Sequence, residues 1–296
     1  MKLPDFLLVL MVNLAWGFNF IAGKYGADHF QPLFFTSLRF LILLVITLPW
    51  LKPAPGQMRP LLTVSFLMGI LHYGMIFLGI YASGNIASVA IATQLYIPFS
   101  AILAVVFLKE RMTMMKIVAI AVALAGVLVT GFDPVVFDHL DAILWIIGAC
   151  LAIAIATIIM RQCPDLGVFR LQAWIALVAA PSLFLLSLLF ETGHSEIVTD
   201  STLIDFWPPV YSAVAASIGG HGVVYYLLGR HSVSVVTPLL LLAPVFASIF
   251  GILVFGDDLG GKMVVGGLMT LSGILLVSIE PGSANPVQPE TVQFTG

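Results

Sequence analysis

Charge is what this chain has least of. Lysine, arginine, aspartate and glutamate together make up 9% of its 296 residues, against about 25% in an ordinary soluble domain, which excludes a solvated surface over most of its length. No charged residue occurs between Phe6 and Gly23, and no aspartate or glutamate falls deep inside any of the long apolar segments. Paired midspan acids, as an intramembrane aspartyl enzyme needs, are therefore missing, and so is the His-Glu-x-x-His of a zinc protease. The chain reads as no enzyme, with no catalytic residues, no metal and no cofactor. Cysteine is scarce too: Cys150 and Cys163 lie thirteen residues apart, about 20 Å along one helix, and cannot form a disulfide. A net charge of -3 says little by itself, because in a membrane protein the distribution of lysine and arginine matters more; no nucleic-acid partner is expected.

What is present is apolar length. Hydrophobic residues make up 60% of the chain, against roughly 45–50% in soluble domains, and a bilayer core of about 30 Å needs about 20 of them per helix. Ten such segments follow one another, at 6–25, 33–51, 61–82, 86–108, 113–131, 140–161, 169–190, 208–229, 235–255 and 262–279. The weakest join is the third to the fourth, broken only by Ser83-Gly84-Asn85. The first segment has a one-lysine charged region and no small-x-small cleavage site, so it is expected to stay as a span rather than leave as a signal peptide. With a cytoplasmic N-terminus, nine basic residues, among them Lys52, Arg59, Arg170 and Arg230, fall on cytoplasmic segments and only Lys24, Arg39 and Lys262 on the other side. That bias predicts both termini in the cytoplasm.

The chain also reads as doubled. A shift of 147 residues lays Phe99, Ile102 and Glu110 on Phe246, Ile249 and Asp257, and Leu124, Gly126 and Leu128 on Leu271, Gly273 and Leu275. Five spans per copy is an odd number, so the second copy would enter the membrane from the opposite side, the plan of many secondary transporters. The expected units are a first five-helix repeat at 1–131 and an inverted one at 132–280. Residues 281–296, polar and rich in proline, are expected to be a disordered cytoplasmic tail and in part an appended sequence.

Trp16-Gly17-Phe18-Asn19 with Lys24, "PLFFTSLRF" at 32–40, "FLKER" at 107–111 with "AGVLV" at 125–129, and "LAPVFASIFGILVFGDDL" at 242–259 resemble the EamA-type branch of the drug/metabolite transporter superfamily, nearest to bacterial inner-membrane exporters of amino acids and related metabolites. The resemblance covers about Leu7 to Ile279. It implies an all-α integral membrane protein, ten helices as two inverted five-helix repeats around a central cavity, in the inner membrane. One departure is visible: Pro244 stands thirteen residues before Asp257, but Pro98 only twelve before Glu110, which puts the symmetry of two helix breaks in question.

Polar groups at depth are the candidates for substrate contact. On a helical wheel Asn13, Trp16, Gly17, Phe20, Gly23 and Lys24 share one arc of the first span. Trp16 lies near mid-span, whereas membrane tryptophans favour the interfaces, and it is expected to stack on a ligand or fill space between helices. Lys24 either faces the site or snorkels to the interface. Arg39 sits about six residues into the second span, nominally some 9 Å deep, where insertion costs about 2.5–3.5 kcal/mol, so it should meet water, a partner or a substrate carboxylate. His72, Gln94, Tyr96, His221 and Tyr225 complete the expected lining, with Pro98 and Pro244 as helix breaks near its walls. The expected partners are a small-molecule substrate and the lipid bilayer, and the expected state is a monomer, with a dimer as the alternative. Since intramembrane acids are absent, facilitated diffusion is expected. Rival readings are an exchanger of phosphorylated sugars or another organic anion, which would need several buried cations, and a membrane receptor or scaffold.

Overall fold

The structure is a computed structural model that describes residues 2–108, 113–131, 139–160, 166–228, 230–231, 236 and 239–279. Lys109, Glu110, Arg111, Arg161, Cys163 and the 281–296 tail lie outside them. Among the described residues all regular structure is helical. Helix α1 is Leu3–Phe30 and α2 is Pro32–Thr47; α3 runs through Met58–Ser65, a π segment at Phe66–His72, and Tyr73–Ala82. Helix α4 comprises Ile86–Ala92, a 3-10 turn at Thr93–Leu95, and Tyr96–Leu108. Then follow α5 (Met114–Gly131), α6 (Leu140–Met160) and α7 (Val168–Phe190). Helix α8 is Trp207–Tyr211, a π segment at Ser212–His221, and Gly222–Leu228, and the last are α9 (Leu242–Phe255) and α10 (Gly261–Ile279).

Six of these, α1, α2, α3, α4, α6 and α7, are long and apolar enough to cross a membrane, and α5, α9 and α10 are shorter apolar helices. Their outward faces carry large exposed hydrophobics such as Val106, Phe107, Leu144, Leu185 and Leu189. So much contiguous apolar surface would be a liability in water and is the ordinary exterior in lipid. Trp50, Trp145 and Trp207 are exposed near helix ends, the depth at which tryptophan settles at a membrane interface.

The packing has a regular pattern. Helix α5 lies along α10 and α2 along α7; α1 packs on α9 as α6 packs on α4; α3 meets α6 and α7 as α8 meets α1 and α2. Exchanging each helix with the one five places on leaves these pairs unchanged, while α1 packs in addition on α2 and α3. At the α5–α10 contact the match reaches single residues. A side chain on Gly126 would meet the backbone of Gly266 and Thr270, and one on Gly273 would meet the backbone of Ala119 and Ala123. The Thr270 hydroxyl donates to the Ala123 carbonyl at 3.4 Å, 147 residues away.

Helix ends are held across the bundle by carboxylates. Proline at 32 pushes the preceding residue out of the helical region, and Gln31 takes φ 67° and ψ 152°, a strained conformation that costs about 1–3 kcal/mol. The Glu191 carboxylate, at the end of α7, offsets this by accepting from the N–H groups of Leu33 (2.7 Å) and Phe34 (2.9 Å), while Gln31 Nε2 donates to the Thr192 carbonyl at 2.7 Å. Asp257, just past α9, does the same for α4: its Oδ2 accepts from the N–H of Ile86 (2.7 Å) and of Ala87 (3.3 Å), and Asn85 Oδ1 takes that of Ser88. Asp257→Ala should therefore lower the melting temperature of the detergent-solubilised protein by the equivalent of about 1–2 kcal/mol, and Asp257→Asn by less. Outside the spans, Thr202 donates from hydroxyl and N–H to Asp205 and holds that carboxyl below its usual range.

Pro98 and Pro244 each follow a change of helical form, a 3-10 turn at Thr93–Leu95 and a turn ahead of Leu242. Both stand third in a helical segment, Tyr96–Leu108 and Leu242–Phe255, where the missing N–H is least costly. Pro181 lies inside an unbroken helix.

Candidate functional site

A cavity of about 300 Å³ lies where α1, α2, α3, α4 and α8 converge. The two π segments shape it. A π turn carries one more residue than an α turn and often marks a functional position; each of these ends on a histidine, His72 on α3 and His221 on α8, and both line the cavity. Trp16, Arg39, Gln94 and Tyr96 line it too, so six residues from five helices meet.

Arg39 is 1% exposed. Its Nη2 donates to the Ser217 hydroxyl at 2.7 Å, and its guanidinium carbon lies 4.5 Å from the Tyr73 ring centre, 5.0 Å from that of Phe40 and 5.3 Å from that of Phe77. Aromatic faces attract a cation but accept few hydrogen bonds. Arg39 Nε and Nη1 are buried without a hydrogen-bond partner, and the ion pairs among the described residues, Lys24–Asp28 and His231–Asp5, leave it without a carboxylate. A buried, half-satisfied cation on a cavity wall is suited to an anionic ligand.

The other polar groups are arranged around it. His72 Nδ1 lies 2.9 Å from the Ala149 carbonyl; a carbonyl only accepts, so the hydrogen-bond network assigns the proton to Nδ1 and leaves Nε2 an acceptor. Trp16 spends its indole N–H on the Ala216 carbonyl at 2.9 Å and sets its ring 5.4 Å from that of His221, so it serves as a wall that ties α1 to α8. Gln94 makes only long contacts, 3.5 Å to Ala90 and 3.4 Å to Thr93, and its amide is weakly held. Cys150 Sγ lies 3.2 Å from the Thr93 carbonyl, within reach to serve the bent turn of α4.

Two expected residues sit elsewhere. Lys24 pairs with Asp28 at 3.0 Å and donates to the Tyr81 carbonyl at 3.0 Å; near the end of α1 its long chain reaches partners at the bundle's edge. Asn13 is fully buried one turn from the cavity, donating to the Val9 and Leu239 carbonyls, so it joins α1 to the chain ahead of α9. Tyr225 belongs to α8, but its side chain is outside the described residues. Conversely, Ser217, Tyr73, Thr93 and Asn19 line the cavity without having been singled out as candidates. A serine or threonine in an apolar helix commonly bonds its own backbone, so sequence offers no sign that Ser217 would meet Arg39. Among the described residues no group of three or more histidines, cysteines or acids could hold a metal.

Comparison with known proteins agrees with this architecture. The chain is 28% identical to a protein of Salmonella typhimurium named "Probable amino-acid metabolite efflux pump", over 93% of this chain and 95% of that one, and 26% identical, with the same coverage, to an Escherichia coli protein of the same name. It is 24% identical to the "Uncharacterized transporter YoaV" of Bacillus subtilis, over 90% of this chain and 94% of that one. A solved crystal structure shares the fold at a TM-score of 0.61 and 15% identity, covering 93% of this chain and 96% of the other. The model of the EamA-like transporter family matches residues 4–132 and again 140–279. With apolar helices throughout and a polar cavity at their centre, the chain is a multi-pass membrane transporter and belongs to the EamA-like transporter family.

Proposed function

We propose that this transporter exports amino acids, aromatic and hydrophobic ones included, and related small metabolites across the bacterial inner membrane by alternating access. The observation that carries the reading is Arg39: a buried guanidinium on the cavity wall, with two nitrogens unpaired, suits the carboxylate of a zwitterion. The names of the Salmonella and Escherichia coli relatives support the substrate class. Ten spans in two inverted five-helix repeats, with both termini cytoplasmic, is the arrangement we adopt. The five-place exchange of helix pairs and the family's two matched segments support it. Lys24, taken up by Asp28, leaves Arg39 as the cationic residue of the cavity lining, and one cation suits a carboxylate better than a sugar phosphate.

The transport is proposed to be facilitated diffusion. Proton-coupled carriers commonly use intramembrane acids, and the cavity lining contains none among the described residues. Purified protein in liposomes should equilibrate labelled amino acids without a pH gradient, leave sugar phosphates untouched, and gain no accumulation from an imposed gradient. Transport of sugar phosphates in preference to amino acids would reject the substrate class. Accumulation driven by a pH gradient would reject the uncoupled mechanism and turn attention to His72 and His221.

A further inference from the structure

Beside the central cavity lies a second of about 260 Å³. Tyr73, Ser217 and His221 line both, so the two chambers adjoin along these residues. The second chamber is walled by apolar residues, among them Phe40, Met68, Met160, Leu171 and Ile175. Besides the three shared residues, one polar side chain stands among them. Gln172 lines the chamber, is only 7% exposed, and donates from Nε2 to the Ser217 carbonyl at 3.2 Å. Turning the amide over would set oxygen against oxygen, so this bond fixes its orientation. Oε1 is then a buried acceptor without a partner among the described residues, a group that costs stability unless a donor reaches it.

These shared residues join this acceptor to the cation. Ser217 takes Arg39 Nη2 on its hydroxyl and Gln172 Nε2 on its carbonyl, so the two unsatisfied groups are held by one residue where the chambers adjoin. We infer that the second chamber is a side-chain subsite, in which Gln172 Oε1 accepts a hydrogen bond from a large apolar side chain that bears a single N–H or O–H donor, while Arg39 holds the carboxylate of the same molecule. This rests on the proposed function and narrows its substrate class to amino acids with indole-like or phenol-like side chains. A volume just under the roughly 300–1,000 Å³ of whole-ligand pockets suits one ring rather than a second ligand. Two methionines give the wall some latitude in ring shape, and its apolar character opposes a side-chain ammonium, which would arrive without a counter-charge.

Competition against labelled leucine in proteoliposome counterflow tests this. In the wild type, tyrosine should compete about tenfold better than phenylalanine, and tryptophan about tenfold better than its benzothienyl analogue, in which sulfur replaces the ring N–H at nearly the same shape. In Gln172→Leu both ratios should fall to about one; general damage to the protein would lower both members of a pair and leave the ratio alone. Ratios near one in the wild type, or ratios that persist in Gln172→Leu, would overturn the subsite. Should Gln172→Leu not be recovered folded, the wild-type ratios decide together with Leu171→Trp, which fills the chamber and should abolish the preference. Leucine counterflow without donor preference sinks the subsite alone, whereas a wild type that moves no amino acid sinks the proposed function and the subsite with it.

Discussion

Arg39→Ala is expected to abolish transport at normal expression. Truncating one partner of a buried charged contact costs about 2–5 kcal/mol, which is roughly a 30-fold to several-thousand-fold loss of affinity at 1.4 kcal/mol per decade. Arg39→Lys should not restore it. An ammonium is a point donor and lacks the planar fork that could keep Ser217 and a carboxylate at once, and the stacking against Tyr73 at 4.5 Å would be weakened. Because the substitution also relieves a buried cation, the protein's thermal stability should hold or rise while flux disappears. Wild-type flux in Arg39→Ala proteoliposomes would remove Arg39 from the mechanism.

The second large effect is structural. A Cβ on Gly126 would stand 2.5 Å from the Gly266 carbonyl oxygen and from the Thr270 nitrogen, and one on Gly273 would stand 2.6 Å from the Ala119 carbonyl oxygen and the Ala123 nitrogen. These are backbone atoms of a facing helix, which cannot step aside as a side-chain tip can. Small residues let membrane helices approach this closely, and overpacking usually costs about 1–3 kcal/mol or more. Gly126→Leu and Gly273→Leu are therefore expected to leave little monodisperse protein by size-exclusion chromatography in mild detergent. Gly261→Leu, where nothing lies within 4 Å, is the control and should behave as wild type. Equal recovery of all three would mean that α5 and α10 do not pack as described.

Much of the helix layout was legible in the sequence, because the thickness of a bilayer and the rise of a helix fix how long an apolar run must be. Segments 61–82 and 86–108 show it: the helices there are parted at Ser83–Asn85, the break that the sequence offered. The depth of Arg39 was readable for the same reason, as was the prospect that His72, Gln94, Tyr96 and His221 would face inward, since polar groups in an apolar span have few other places to go. Lys24 is likewise a cation in an apolar span, yet it found Asp28 one turn on. A wheel cannot tell these outcomes apart, because it places a residue on a face without saying what stands opposite.

The sequence by itself determined a membrane-embedded, all-helical transporter of a recognisable family, since composition and run length answer to the bilayer and not to the neighbours. Only the tertiary structure decided which polar residues meet. Arg39 and Ser217 are 178 residues apart, and the π turns that bring Ser217, His72 and His221 to the cavity follow no compositional rule. A π turn differs from an α turn by one residue, and contacts from neighbouring helices select between them. The second chamber was invisible for the same reason: a void belongs to no residue and is defined by the five helices that leave it open.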